Sequence, residues 1–262
     1  MPIAVDAIAR LRSRAPLIHN ITNYVVMNST ANALLAIGAS PAMVHAPEEA
    51  PGFARMAQAL VINIGTLSSP WLSAMEGAAR AAVEAGVPWV LDPVAAGATP
   101  FRQQAAARLA ALKPAAIRGN ASEVLALAGG GAAGRGVDAT DSSDAARDAA
   151  RALARRFGTV VAVTGAIDHV TDGDRVVSLA NGHVLLTRVT GTGCVATALT
   201  GAFLGAGLAA FDASVAALAS LGVAAELAAE RGGGGPGSFE TELRDALYRL
   251  DDATLQSRMR AT

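Results

Sequence analysis

Asp92, Glu123 and Cys194 stand where an apolar run ends or a glycine-rich turn opens a helix, and each could do chemistry there. Asp92 closes the run 87–91 and is followed by Pro93, which bars helix continuation and leaves the carboxylate at the end of a strand. Glu123 follows Arg118-Gly119-Asn120, just past the next apolar run. Two carboxylates at one end of a parallel sheet suit a magnesium ion, which takes one or two carboxylates, keeps several waters and carries phosphates. Taken singly, an aspartate before proline is also a common turn residue, and Asn-x-x-Glu a common helix cap.

The segment Gly191-Thr192-Gly193-Cys194-Val195-Ala196 has three readings. It fits G-x-G-x-x-A, but that dinucleotide fingerprint normally sits in the first β-α turn and precedes a second strand ending in an acid. Here the next element is another helix. As an anion hole, its glycines let backbone approach a ligand while free N–H groups and the helix dipole favour negative charge, by ~0.3–1 kcal/mol per interaction. A transferring phosphoryl group fits such a site; a tight turn of purely structural use is the third reading. Cys194, the one cysteine, reads either as a small core residue or as a thiol whose pKa the helix N-terminus lowers, suiting a nucleophile or a base. His19, His45, His169 and His183 show no triad-like signature and read as core or surface residues. Lys113 is the only lysine and follows no glycine-rich loop, which excludes a Walker A motif and leaves arginine to meet a phosphate.

Short apolar runs must position these residues. Residues 59–64, 87–91, 115–117 and 159–163 read as buried strands, with alanine-rich helices between them. Ser69-Pro70 and Thr99-Pro100 read as caps before a first-turn proline, Gly86 as a C-terminal cap and Asn120 with Glu123 as a capping box. Strands alternating with helices imply an α/β fold whose mostly parallel central sheet is covered by helices on both faces. Residues 175–180 and 183–187 flank Asn181-Gly182, which predicts a β-hairpin turning at that dipeptide. Long helices are expected over 192–208 and 212–230. A glycine run at 232–237, read as a connector or a lid, then leads to a helix from Phe239. Residues 129–140 read as another exposed connection, and the whole of 1–262 as one domain.

Composition narrows the partners. Of 262 residues, 52% are apolar and 16% charged, with mean hydropathy +0.37, which excludes general disorder. A net charge of -1 provides no field for nucleic acid or anionic lipid, so the expected partner is a small molecule. A lone cysteine forms no intramolecular disulfide, and the first twenty residues hold no apolar signal core, so the expected location is cytoplasmic. Residues 189–211 carry no charge over a length that could span a bilayer, but their small residues and threonines fit a buried helix better.

Together these segments resemble the hydroxyethylthiazole kinase family of the ribokinase-like superfamily. The resemblance runs in order through Ile21-Thr22-Asn23-Tyr24-Val25, Gly38-Ala39-Ser40-Pro41-Ala42-Met43, Asn63-Ile64-Gly65-Thr66-Leu67, Leu91-Asp92-Pro93-Val94, Ile117-Arg118-Gly119-Asn120-Ala121-Ser122-Glu123, Val163-Thr164-Gly165, Thr190-Gly191-Thr192-Gly193-Cys194 and Gly235-Pro236-Gly237-Ser238-Phe239. It implies a three-layer fold and transfer of the γ-phosphate of ATP, with Mg2+, to the primary hydroxyl of 4-methyl-5-(2-hydroxyethyl)thiazole in thiamine salvage. It further implies ATP contacts from Arg118 and Thr164, and thiazole contacts from Met43, Gly191, Asn23 and Val25. Asp92 and Glu123 would organise metal and phosphates, with Cys194 where the wider superfamily carries an aspartate base. A homotrimer with interfacial sites is implied as well. A related kinase acting on hydroxymethylpyrimidine, or a non-catalytic ATP-binding protein of the same fold, are the alternatives.

Overall fold

The structure is a computed structural model that describes residues 5–129, 139–231 and 234–262. Its strands are β1 (Leu17–Ile21), β2 (Ser40–Ala42), β3 (Ala59–Asn63), β4 (Trp89–Asp92), β5 (Ala116–Asn120), β6 (Val160–Thr164), β7 (Asp168–Thr171) and β8 (Val176–Leu179). They form one eight-stranded sheet in the order β2-β1-β3-β4-β5-β6-β7-β8. β1 through β6 run parallel, and β7 and β8 are antiparallel.

Helices cover both faces, as a parallel sheet requires. They are α1 (Ala7–Arg14), α2 (Met27–Ile37), α3 (Ala50–Met56), α4 (Ser69–Ala85), α5 (Pro100–Ala110), α6 (Ala121–Leu127), α7 (Ala139–Phe157), α8 (Thr192–Gly205), α9 (Ala210–Arg231), α10 (Pro236–Arg249) and α11 (Asp252–Arg258). Alternation along the strands divides the core: Val61 packs with α8 and α9, whereas Leu60 and Ile62 pack with α4. One layer holds α1, α2 and α8 to α11, the other α3 to α7. The result is the expected three-layer α/β fold.

Small residues set the layer spacing. A Cβ on Gly201 of α8 would lie 2.5 Å from Val61 Cγ2, so the helix backbone rests directly on the sheet. The uncharged stretch 189–211 is broken by Gly207 at φ +81, and its helix α8 is too short to span a bilayer. Among the described residues one helix, α9, is long and apolar enough for that, and 78% of its apolar window is buried within the fold.

Helix ends follow local chemistry, with one shift. Thr99 caps α5 and Gly86, at φ +70, ends α4. The cap of α4 is Ser68 rather than Ser69: its hydroxyl accepts from Trp71 N, and Leu72 N bonds to Ser68 O at 2.9 Å, closing the first turn one residue earlier. Lys113 adopts φ +57 in the connection before β5.

The predicted hairpin at Asn181-Gly182 does not form. β8 pairs instead with β7, and the chain reverses near Gly173 at φ +103. Residues Val184–Arg188 form a 3-10 helix. Asn181 and Gly182 are unavailable for a hairpin turn because Glu226 of α9 binds both, through the Asn181 amide at 3.1 Å and the Gly182 N–H at 3.0 Å. Residues 130–138 and 232–233, where two exposed connections were expected, lie outside the described residues.

Candidate active site

Each parallel strand delivers a candidate residue at or just past its carboxyl end. Met43 follows β2, Asn23 and Val25 follow β1, Asn63 ends β3, Asp92 ends β4, Arg118 lies near the end of β5, and Thr164 ends β6. At ~4.8 Å between strands, this row extends over roughly 24 Å. Strand order reverses between β1 and β3, the position where open α/β sheets bind ligands.

At its centre, Asp92 is wholly buried and occupies the same rung as Asn63. Its Oδ2 accepts from Asn63 Nδ2 and from Thr197 Oγ1, both at 2.8 Å, while Oδ1 is buried with no hydrogen-bond partner. Asn63 Oδ1 in turn accepts from Asn23 Nδ2 and Gly65 N, each at 2.9 Å. Asn23 Nδ2 also approaches Cys194 Sγ at 3.7 Å. Burial raises the Asp92 carboxyl to about 6 even though Arg118, 3.9 Å away, pulls it down.

Arg118 points from β5 toward the start of α8 and donates to Thr164 Oγ1. A Cβ at Gly193 would meet its guanidinium nitrogens at 2.6 and 2.7 Å, so only glycine lets the cation pack against the helix. Gly191 takes φ +83, and the first helical bond runs from Val195 N to Gly191 O at 2.9 Å, leaving the N–H groups of Thr192, Gly193 and Cys194 ahead of it. A guanidinium against a helix N-terminus sets two positive features together, an arrangement that an anion between them relieves.

Glu123 is engaged on both oxygens. Oε2 accepts from Asn120 N at 2.8 Å within the predicted capping box, and Oε1 accepts from Ala95 N at 2.9 Å. It therefore ties the turn after β4 to the end of β5. Among the described residues no three His, Cys, Asp or Glu side chains gather as a metal cage. Asp92 still fits a magnesium ion, which needs few carboxylates, because its buried Oδ1 lacks any other partner; Glu123, with one backbone bond on each oxygen, keeps a second lone pair on each for a water of that ion.

The expected lowering of the Cys194 pKa is reversed. Burial, aided by the Asp92 charge, pushes the thiol up to about 11. The helix end contributes tenths of a kcal/mol to about one, whereas desolvation shifts buried groups by units. The histidines have partners of their own: His19 with Phe53 and the Val44 carbonyl, His45 with Trp71, His169 with Ser178, and His183, beside the cavity described next, with Phe239.

A cavity of about 670 Å³ opens beside Arg118 and Thr164. Apolar groups of Val184, Leu186, Leu218 and Leu221 line it, together with Gly193. Asp168, which also lines it, went unnoticed in the sequence; burial raises its carboxyl to about 6, and it accepts from Gly165 N at 2.9 Å. Asn63 and Thr197 were likewise unassigned, although a polar residue closing an apolar run was a usable signal for Asn63. The structure thus gathers Asn23, Asp92, Arg118, Thr164, Gly191 and Cys194 around the start of α8, with Glu123 behind them. Val25 and Met43 stand further out, Val25 being 63% exposed and Met43 half-buried beyond the edge strand.

Comparison with known proteins gives the family and supports the fold. The pattern of the Hydroxyethylthiazole kinase family matches residues 8–253. The hydroxyethylthiazole kinase of Granulibacter bethesdensis is 58% identical over 250 residues, covering 95% of this chain and 91% of that protein. The solved hydroxyethylthiazole kinase structure from Pyrococcus horikoshii OT3 superposes with a TM-score of 0.90 at 46% identity, over 98% of this chain and 96% of the other. A pyridoxal kinase from Staphylococcus aureus, solved with pyridoxal, shares only the fold, with a TM-score of 0.62 at 16% identity over 78% and 84% of the two chains. On the strength of the matched pattern and this identity over nearly its whole length, the chain belongs to the hydroxyethylthiazole kinase family.

Proposed function

We propose that the protein transfers the γ-phosphate of ATP to the primary hydroxyl of 4-methyl-5-(2-hydroxyethyl)thiazole in thiamine salvage, with residues 1–262 acting as one kinase domain. The observation that carries this reading is Arg118 held beneath the Gly193 backbone at the N-terminus of α8, beside the buried Asp92. ATP lies along the carboxyl edge, its base between the apolar walls of the 670 Å³ cavity and its phosphates at Arg118, Thr164 and the N–H groups of residues 192–194. Magnesium, when bound, offsets charge on the phosphate oxygens; Asp92, through its free Oδ1, and Glu123 are the groups that would hold it, directly or through water.

The alcohol occupies the switch point between β1 and β3, against Asn23, Val25, Gly191 and Met43. Asn23 fixes the position of Cys194 beside the reacting hydroxyl. With its thiol pushed up to about 11, Cys194 enters the reaction protonated at neutral pH. Its contribution is alignment, with the thiolate as proton acceptor only in the small fraction of molecules that hold it. A loose phosphoryl-transfer transition state tolerates this, because the hydroxyl can keep its proton until the new P–O bond is largely formed.

The outer part of the alcohol site is bare: Tyr24 is 66% and Val25 63% exposed. Exposed apolar side chains at a binding edge support the homotrimer with interfacial sites that the family resemblance implies. We read the enzyme as cytoplasmic. The test is ADP release with Mg-ATP and a panel of alcohols. Release with the hydroxyethylthiazole is expected; release only with hydroxymethylpyrimidine or a sugar, or ATP binding without turnover, would overturn the assignment.

A further inference from the structure

One wall of the large cavity belongs to neither a strand nor a helix: Ala180, Asn181, Gly182 and His183, between β8 and the 3-10 helix, form it. Irregular backbone keeps a fixed shape only where its polar groups are tied. The ties here come from residues 258–262 and from Glu226 of α9. Asn181 Oδ1 accepts from Arg260 N at 2.7 Å, and Asn181 Nδ2 donates to the Arg258 carbonyl at 2.9 Å and to Glu226 Oε1 at 3.1 Å. The Arg260 guanidinium donates to the Ala180 carbonyl and to Glu226 Oε1, both at 2.6 Å. Ala180 N bonds to Arg260 O at 3.0 Å, while Ser178 and Thr262 exchange a pair of backbone bonds at 2.8 and 3.0 Å. Residues 260–262 therefore add a short antiparallel stretch to the open edge of β8.

From the other side, α9 presses on the same wall. A Cβ on Gly222 would lie 2.7 Å from Asn181 Cβ and 2.9 Å from its carbonyl carbon, so the wall sits directly on helix backbone. Both polar atoms of the Asn181 side chain are engaged with residues outside the cavity. Its influence on a ligand must pass through the position of the wall.

We propose that residues 258–262 are a strap that sets the width of the nucleotide cavity, with Arg260 and Asn181 as positioning residues; this rests on reading that cavity as the ATP site. The strap lies beyond residue 253, where the family match ends. Releasing it lets the 180–183 wall move away from Leu218 and Leu221 and loosens the hold on ATP. The alcohol side, several strands away, is unaffected.

The test compares Arg260→Ala, Arg260→Lys and Gly222→Ala with the parent enzyme in steady-state kinetics, with Arg118→Ala alongside. Arg260→Ala and Gly222→Ala should each raise the KM for ATP about tenfold while kcat and the thiazole KM stay within about twofold, and Arg260→Lys should recover part of the loss. An ATP KM within about twofold of the parent in Arg260→Ala and Gly222→Ala, or parallel losses in both substrates' KM values, would overturn the strap while Arg118→Ala still weakens ATP. If Arg118→Ala leaves ATP binding unchanged, the nucleotide reading fails, and the strap's role fails with it.

Discussion

The two halves of the carboxyl edge are built differently. On the β5–β6 side, Arg118, Thr164 and the start of α8 enclose a cavity with walls from one chain. On the β2–β1 side, Val25 and Tyr24 face solvent, and Met43 sits beyond a three-residue edge strand. A flexible, highly charged phosphate chain needs preorganised donors, which one rigid scaffold can supply. A small apolar ring needs enclosure, and the β2–β1 edge of one chain leaves its apolar side chains bare. On the proposed reading, the contrast would keep phosphate chemistry within the protomer and leave the alcohol pocket to be closed by assembly.

Asp92→Asn strikes where the halves meet. Turnover should fall by about a thousandfold in an ADP-release assay, since a magnesium ion held there would contribute several kcal/mol of charge stabilisation. The same change should stabilise the fold. The Asp92 carboxyl is raised from 3.8 to about 6, so between those values the native state holds the proton that the unfolded chain has lost. The parent's stability should therefore decline as pH rises from about 4 to about 6, and Asp92→Asn should remove that slope and gain about 2–3 kcal/mol at neutral pH in denaturant titrations. A variant both inactive and less stable would break the picture of a carboxylate kept buried for function.

Gly193→Ala addresses the phosphate half alone. Its Cβ would meet the Arg118 guanidinium at 2.6 Å, and kcat/KM should fall by about a hundredfold as that donor is displaced. Unchanged kinetics would mean that Arg118 and the helix end do not act as one unit. Val25→Asp addresses the other half. It should raise the thiazole KM about tenfold, leave the ATP KM alone and lower the assembly mass in sedimentation. If the mass and the thiazole KM both hold, the outer pocket is not an interface.

Cys194→Ala should have the smallest effect, a decrease in kcat of less than about tenfold with ATP affinity preserved, because a thiol raised to about 11 works by alignment. The rate profile should show no ionisation near pH 9. A steep step there would restore the lowered-pKa thiol that the helix end alone suggests.

Asp92, Glu123 and Cys194 were legible in the sequence because each sits where an apolar run stops or a glycine turn opens a helix, whereas Arg118 and Thr164 came only with the family resemblance. β1 was not, since the buried His19 and Asn20 interrupt its apolar pattern, and β2 is short and contains Pro41. The Asn181-Gly182 dipeptide carried a genuine turn preference, overridden by Glu226 and the Arg258 carbonyl from far along the chain. Local spacing also missed Thr197, which reaches Asp92 only because α8 is laid across β3 and β4. Long-range contacts of this kind leave no trace in neighbouring residues.

Lys113, the chain's single lysine, is exposed at the amino end of β5, across the sheet from the carboxyl edge. Amine-directed attachment to side chains is thereby confined to one address on the protein's back. A surface, dye or carrier joined to that side chain leaves the carboxyl edge of the sheet facing outward.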